Sequence, residues 1–176
     1  WSAKVNLSNP NLLLNIHKEY INAGSNYITT NTFRTTTRAY KKTGLSNAQA
    51  NKLAKKSMDA AINIAKKASE NKSIKILGSI APLEDCYSPQ LFPGIENAKN
   101  EFSIIAKWLK EGGVDGYILE TMNNIVETQT CLEAVQDYKL PVWVSFNLSD
   151  PYHIQSGETL ENAISMTTNF DADCIL

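Results

Sequence analysis

Strand-like apolar runs alternate with helical stretches along all 176 residues, and this alternation restricts the fold more than any single motif does. Such an order argues for an α/β fold with a parallel sheet. Folds of this class gather their chemistry at the C-terminal ends of the strands. The last run, Cys174-Ile175-Leu176, stops in mid-strand, and Trp1 is not an initiating residue. The chain is therefore expected to be a piece of an enzyme, begun after one strand and ended inside another.

The elements can be read in turn. Asn9-Pro10 marks a helix start, with Asn as cap and Pro at the first helical position. Leu13, Ile16, His17, Tyr20 and Ile21 follow at helical spacing, and Ala23-Gly24 closes the helix. Residues 27–33 (YITTNTF) read as a strand and 34–45 as a long polar loop. Ser46 and Gln49 form a capping box for a helix running toward Asn71. The remaining strands are expected at 74–81, 116–120, 142–148 and from Cys174 onward. Helices are expected at 97–110, at 124–138 with Glu127 completing a cap, and from Thr159 to near Phe170. Five strands and five helices suit either a complete doubly wound sheet or the middle of an eight-stranded (β/α)8 TIM barrel. The loops after the strands are long and polar and those before them short, which suits the barrel.

Composition narrows the classes of partner. A chain that is 43% hydrophobic and 20% charged can bury a core. The net charge of -1 gives no electrostatic reason to expect nucleic acid or an anionic membrane. The Lys55-Lys56 and Lys66-Lys67 pairs read as the solvated face of a helix rather than a nucleic-acid patch. No apolar run approaches the ~20 residues of a membrane span. Cys86, Cys131 and Cys174 form no CxxC pair, so a reduced, cytoplasmic setting is expected.

Chemistry is sought at the strand ends. Asn31, within Thr29-Thr30-Asn31-Thr32-Phe33, either faces a ligand or simply belongs to a hydrophilic strand. Glu120-Thr121 follows the apolar GYIL run, where a carboxylate can pair with an ammonium, act as a general base, or bridge to a helix. Ser145 shares a strand face with Trp143 and Asn147, without the GxSxG context of a nucleophile. His17 reads as packed, and His153 lies in a polar loop with nothing acidic at a telling spacing. Gly112-Gly113 is no phosphate loop, and no metal-ligand cluster is visible.

Taken together, several runs resemble the homocysteine S-methyltransferases. They are Trp1-Ser2-Ala3-Lys4, residues 22–33 (NAGSNYITTNTF), Gly78-Ser79-Ile80-Ala81-Pro82, Gly113-Val114-Asp115-Gly116 with Glu120-Thr121, residues 141–146 (PVWVSF) and residues 156–160 (SGETL). They occur in the family's order and cover essentially the whole chain. The resemblance implies a single partial homocysteine-binding domain over 1–176, a zinc-dependent TIM barrel carrying about the second to sixth strands. It implies that Glu120 binds the amino group of homocysteine, next to Thr121. Asn31, Thr32 and Phe33 line the pocket, with Ser145 and Asn147 further round. The zinc cysteines are expected after Leu176, so no metal ligand is assigned within the chain, Cys174 included. The family's first strand is expected before Trp1, and the chain by itself is expected to be inactive. Zinc would hold the substrate sulfur as a thiolate, whereas a free thiol has a pKa near ~8.5.

Members of the family use S-methylmethionine, S-adenosylmethionine, betaine or a methylated cobalamin protein. A sulfonium donor is expected here, met by a ring such as Phe33, Tyr87 or Trp143. The loop at Pro82-Leu83-Glu84-Asp85-Cys86-Tyr87 is a candidate for selecting it. Two other readings stay open: a binding module that keeps the pocket without catalysis, and another barrel enzyme, such as a lyase using Glu120 as base.

Overall fold

A computed structural model describes residues 2–70 and 72–176. Trp1, which opens the family-like WSAK run, and Asn71, where the long helix was expected to end, lie outside the described residues. The fold is α/β, with a parallel sheet of five strands that follow one another in chain order. Two compact units are distinguished, Trp1–Ser79 with Trp108–Gly116, and Ile80–Lys107 with Tyr117–Leu176.

The first unit opens with a 3-10 turn and a short helix, α1 (Val5–Ser8), both missed in the sequence. Helix α2 (Pro10–Asn22) begins as expected, with the Asn9 side chain accepting the Leu12 N–H at 3.3 Å. Strand β1 (Tyr27–Thr29) pairs in parallel with β2 (Lys75–Ile80), placing Ile28 beside Ile76. Expected through Phe33, β1 stops four residues earlier. The Thr32 N–H turns back to the Thr30 carbonyl at 2.8 Å, and the Thr30 and Thr32 hydroxyls lie 2.7 Å apart. Threonine side chains here compete with the sheet ladder for the backbone.

The expected 34–45 loop contains a helix, α3 (Thr37–Lys41), capped by Thr36. Helix α4 (Asn47–Ser69) has the anticipated Ser46/Gln49 capping box. Its buried stripe of Ala50, Ala54, Ser57, Met58, Ala61, Ile62, Ala65 and Ala68 recurs every three to four residues and packs on α2 and α3. Full burial of Met58 and Ile62 contributes about 1.5–3 kcal/mol each.

Helix α5 (Ile95–Gly112) is longer than expected by a turn's fraction at each end. It closes in the first unit, where Gly113 takes φ +77° and a Cβ on Gly112 would stand 2.4 Å from Ile62 Cδ1. Glycine suits the left-handed turn at 113, and a side chain at 112 would require the Ile62 side chain to move.

In the second unit β3 (Gly116–Met122) pairs in parallel with β4 (Val142–Phe146), and β4 with β7 (Cys174–Ile175). Tyr117, Leu119 and Val144 are fully buried, and the Tyr117 hydroxyl donates to the Ala106 carbonyl of α5 at 3.1 Å. Fully buried Phe102 anchors α5. The strand expected over 142–148 ends at Phe146. Leu148–Asp150 (β5) instead pairs antiparallel with His153–Ile154 (β6), a hairpin the sequence reading did not contain.

Helix α6 (Ile125–Val135) yields to a 3-10 turn at Gln136–Tyr138, and α7 (Leu160–Thr168) starts at the Thr159 cap. No helix among the described residues is long and apolar enough to cross a membrane.

Candidate functional site

Strand β3 supplies the most distinctive local geometry. Tyr117 and Leu119 point to its buried helix-side face, so Ile118 and Glu120 share the other face by alternation. Ile118 registers with Trp143 of β4, which places Ser145 on the same face as Glu120. Glu120, Thr121 and Ser145 are each only half-buried. The register then shifts between Leu119 and Met122, and Thr121 adopts φ +54°. A β-branched residue in the left-handed region is strained, and strain of this kind gathers at functional sites. The Thr121 hydroxyl donates to the Glu120 carbonyl at 2.7 Å. The bulge therefore re-aims the chain at the residue expected to bind substrate.

Replacing Thr121 by Gly is expected to raise stability by about 1 kcal/mol, because the strain relieved exceeds the entropy glycine adds to the unfolded chain. Urea unfolding measures this, and a loss of stability would refute the strain.

Beside this strand end stands a polar knot that the sequence reading missed. The Asn123 amide donates to the Asp85 and Cys86 carbonyls at 3.3 and 3.2 Å, and the Asn147 amide to the Cys86 carbonyl at 3.0 Å. Glu127, 2% exposed, accepts the Leu83 N–H at 2.8 Å and the Asn124 amide at 3.3 Å. The expected Glu127 cap forms in half only: Asn124 accepts the Glu127 N–H at 2.7 Å, while the carboxylate turns to Leu83. Glu158 accepts the Ile125 N–H at 2.9 Å and the Ser156 hydroxyl at 2.6 Å, fastening the segment after the hairpin to the start of α6.

The residues expected at the end of β1 are described within the first unit. The Asn31 and Asn6 side chains are bonded at 2.7 Å, and Asn6 also donates to the Asn31 carbonyl and to Ser57. Thr32 is buried and donates to the Ser79 carbonyl at 2.7 Å, while the Ser79 N–H donates to Thr30 at 3.1 Å. Phe33 is half-buried. Glu120, Thr121, Ser145 and Asn147 belong to the second unit, and Asn31, Thr32 and Phe33 to the first.

The histidines divide. His17 is buried, its Nε2 without a hydrogen-bond partner, and burial lowers its pKa, consistent with a packed neutral ring. His153 does have an acidic partner, contrary to the sequence reading: Asp150 lies 2.9 Å from Nδ1. Asp150 also accepts the Tyr152 and His153 N–H groups at 2.8 and 3.0 Å. The Tyr152 N–H and the His153 ring hold the Asp150 carboxyl below its ordinary range. The turn's stabilisation is thus present above the usual carboxylate range and lost as pH falls through that lowered pKa. The Asp-x-x-His spacing of an Asx turn was the available signal. A groove of about 550 Å³ lined by Tyr152, Leu160, Glu161 and Ile164 contains none of the strand-end residues, and the chemistry is not placed there.

Cys86 and Cys131 are buried, and burial, then the charge of Glu127, pushes the Cys131 thiol well up. A thiol reagent at mild alkaline pH is expected to label Cys174 and spare Cys86 and Cys131, as peptide mass mapping would show. Rapid labelling of Cys131 would contradict its burial. Among the described residues no group of three or more His, Cys, Asp and Glu side chains is placed to hold a metal.

A parallel α/β chain whose strand-end carboxylate sits at a strained bulge defines the class, a strand-end site in an α/β fold. The comparisons make it particular: the homocysteine S-methyltransferase family model matches residues 1–176, and the chain belongs to that family. It is 30% identical over 179 residues to homocysteine S-methyltransferase 3 of Zea mays, covering 91% of this chain and 53% of the relative. It is 27% identical over 189 residues to the homocysteine S-methyltransferase of Escherichia coli, covering 97% and 58%. The chain thus spans a little over half the length of the curated relatives it matches. The crystal structure of the metallated Escherichia coli homocysteine methyltransferase superposes with a TM-score of 0.87 at 24% identity, over 99% of this chain and 65% of that one. That likeness concerns the fold.

Proposed function

We propose that the protein to which this chain belongs transfers a methyl group from a sulfonium donor, S-methylmethionine or S-adenosylmethionine, to the sulfur of homocysteine. A lone pair of the homocysteine thiolate forms the new S–C bond. The donor's S–C bond breaks, and its electron pair returns to the sulfonium sulfur, leaving a neutral thioether and methionine. The observation that carries the reading is Glu120 at the bulged end of β3, in a chain matched by the family model throughout. Its carboxylate pairs with the substrate ammonium.

Thr121, Ser145 and Asn147 complete the amino-acid contacts in the second unit, Asn147 from a position fixed by its bond to Cys86. Asn31, Thr32 and Phe33 are further substrate contacts by family resemblance. An eight-stranded barrel in the whole protein is supported by the chain-order sheet, since doubly wound sheets reverse their strand order. The donor set of the described residues does not fit a resident zinc. The zinc implied by the family would take its ligands from elsewhere in the whole protein. A cytoplasmic setting goes with this reading.

The test is a donor panel on the full-length protein with homocysteine. Methionine is expected from the sulfonium donors and not from betaine; turnover with betaine alone would overturn the donor assignment.

A further inference from the structure

The polar knot in the second unit is directed at the main chain of one loop. Asn123, Glu127 and Asn147 between them hold the backbone at Leu83, Asp85 and Cys86. Asn123 and Glu127 are 1% and 2% exposed. Burying a carboxylate and an amide is costly where apolar packing would serve stability as well. A satisfied buried network specifies one geometry, and here the geometry specified is the path of residues 82–88. That loop follows β2, on the strand-end side where α/β folds build their sites. It carries Tyr87, whose ring is 65% exposed and so open to a ligand from solvent.

We propose that Glu127, with Asn123, is a positioning residue that shapes the loop so that the Tyr87 ring receives the cationic sulfonium of the methyl donor. Ring faces attract such cations. The inference rests on the methyl-transfer reading above and adds the part of the chain that meets the donor. Glu120, on strand β3, serves the amino acid. Donor and acceptor binding are thereby separable.

The test is calorimetric titration of the full-length protein with S-methylmethionine, with S-adenosylmethionine and, separately, with homocysteine. Glu127→Ala and Tyr87→Leu are each expected to weaken binding of the sulfonium that the wild type takes by about tenfold or more, leaving homocysteine affinity within about twofold. Glu127→Gln keeps an acceptor for the Leu83 N–H and is expected to restore most of the loss. The double variant should bind little worse than either single one, as coupled residues do. Tyr87 is exposed, so Tyr87→Leu remains decisive if Glu127→Ala fails to fold. Equal weakening of both ligands, or no change in Tyr87→Leu, overturns the proposal. Homocysteine binding by a wild type that takes neither sulfonium overturns the proposal and the choice of donor, and leaves homocysteine as the acceptor. Binding of neither ligand class overturns the functional reading and the proposal with it.

Discussion

Glu120→Gln in the full-length protein is expected to weaken homocysteine binding by about 10- to 150-fold. An amide matches the carboxylate in shape and loses the charge, and a hydrogen bond to a charged group is worth about 1.5–3 kcal/mol. The side chain is half-buried at the bulged end of β3, so the substitution leaves the core untouched. Thermal unfolding should therefore be nearly unchanged while the titration curve shifts. Recovery of affinity with an analogue lacking the amino group would assign the loss to that pairing. Unchanged homocysteine affinity would remove Glu120 from the site and favour its use as a structural bridge or as a base toward another substrate.

The largest effect on stability is expected from Phe102→Ala. The ring is wholly excluded from solvent on α5. Its deletion removes apolar burial and leaves a cavity that the surrounding helix and strand close only in part. Such changes cost about 3–5 kcal/mol, a large share of the roughly 5–15 kcal/mol that holds a domain folded. Urea unfolding should show the midpoint fall by a corresponding amount. A loss below about 1 kcal/mol would mean that the helix is not anchored there.

Periodic elements were legible because their signals are local. Asn9-Pro10, Ser46 with Gln49, and Thr159 announce helices within four residues, and each cap is present. The reading that Ser145 shares a face with Trp143 agrees with the alternating burial along β4, while Asn147, placed on that face too, lies beyond the strand's end at Phe146. Where side chains compete with the backbone, the reading failed. Thr30 and Thr32 have strand-forming side chains, yet their hydroxyls bond each other and end β1 early. The polar knot was invisible for a different reason. Leu83 and Glu127 are separated by 44 positions, and Cys86 and Asn147 by 61, so no local pattern joins them. Glu127 was read as a cap because its spacing from Asn124 is all that the sequence displays. The strain at Thr121 follows from the bulge, which is a property of the pairing with β4. Glu120 stands out in the sequence because a carboxylate following an apolar strand run is unusual, and its pairing with substrate is what the titration above tests.

Transfer of a labelled methyl group tests the central claim most directly. The full-length protein would be incubated with homocysteine and S-methylmethionine carrying a 13C-labelled methyl sulfonium, with S-adenosylmethionine labelled likewise in a parallel sample. The account predicts that the sulfonium methyl signal falls and a methionine thioether methyl signal rises in equal amount, only when homocysteine is present. A folded protein that leaves the label on both donors would contradict it.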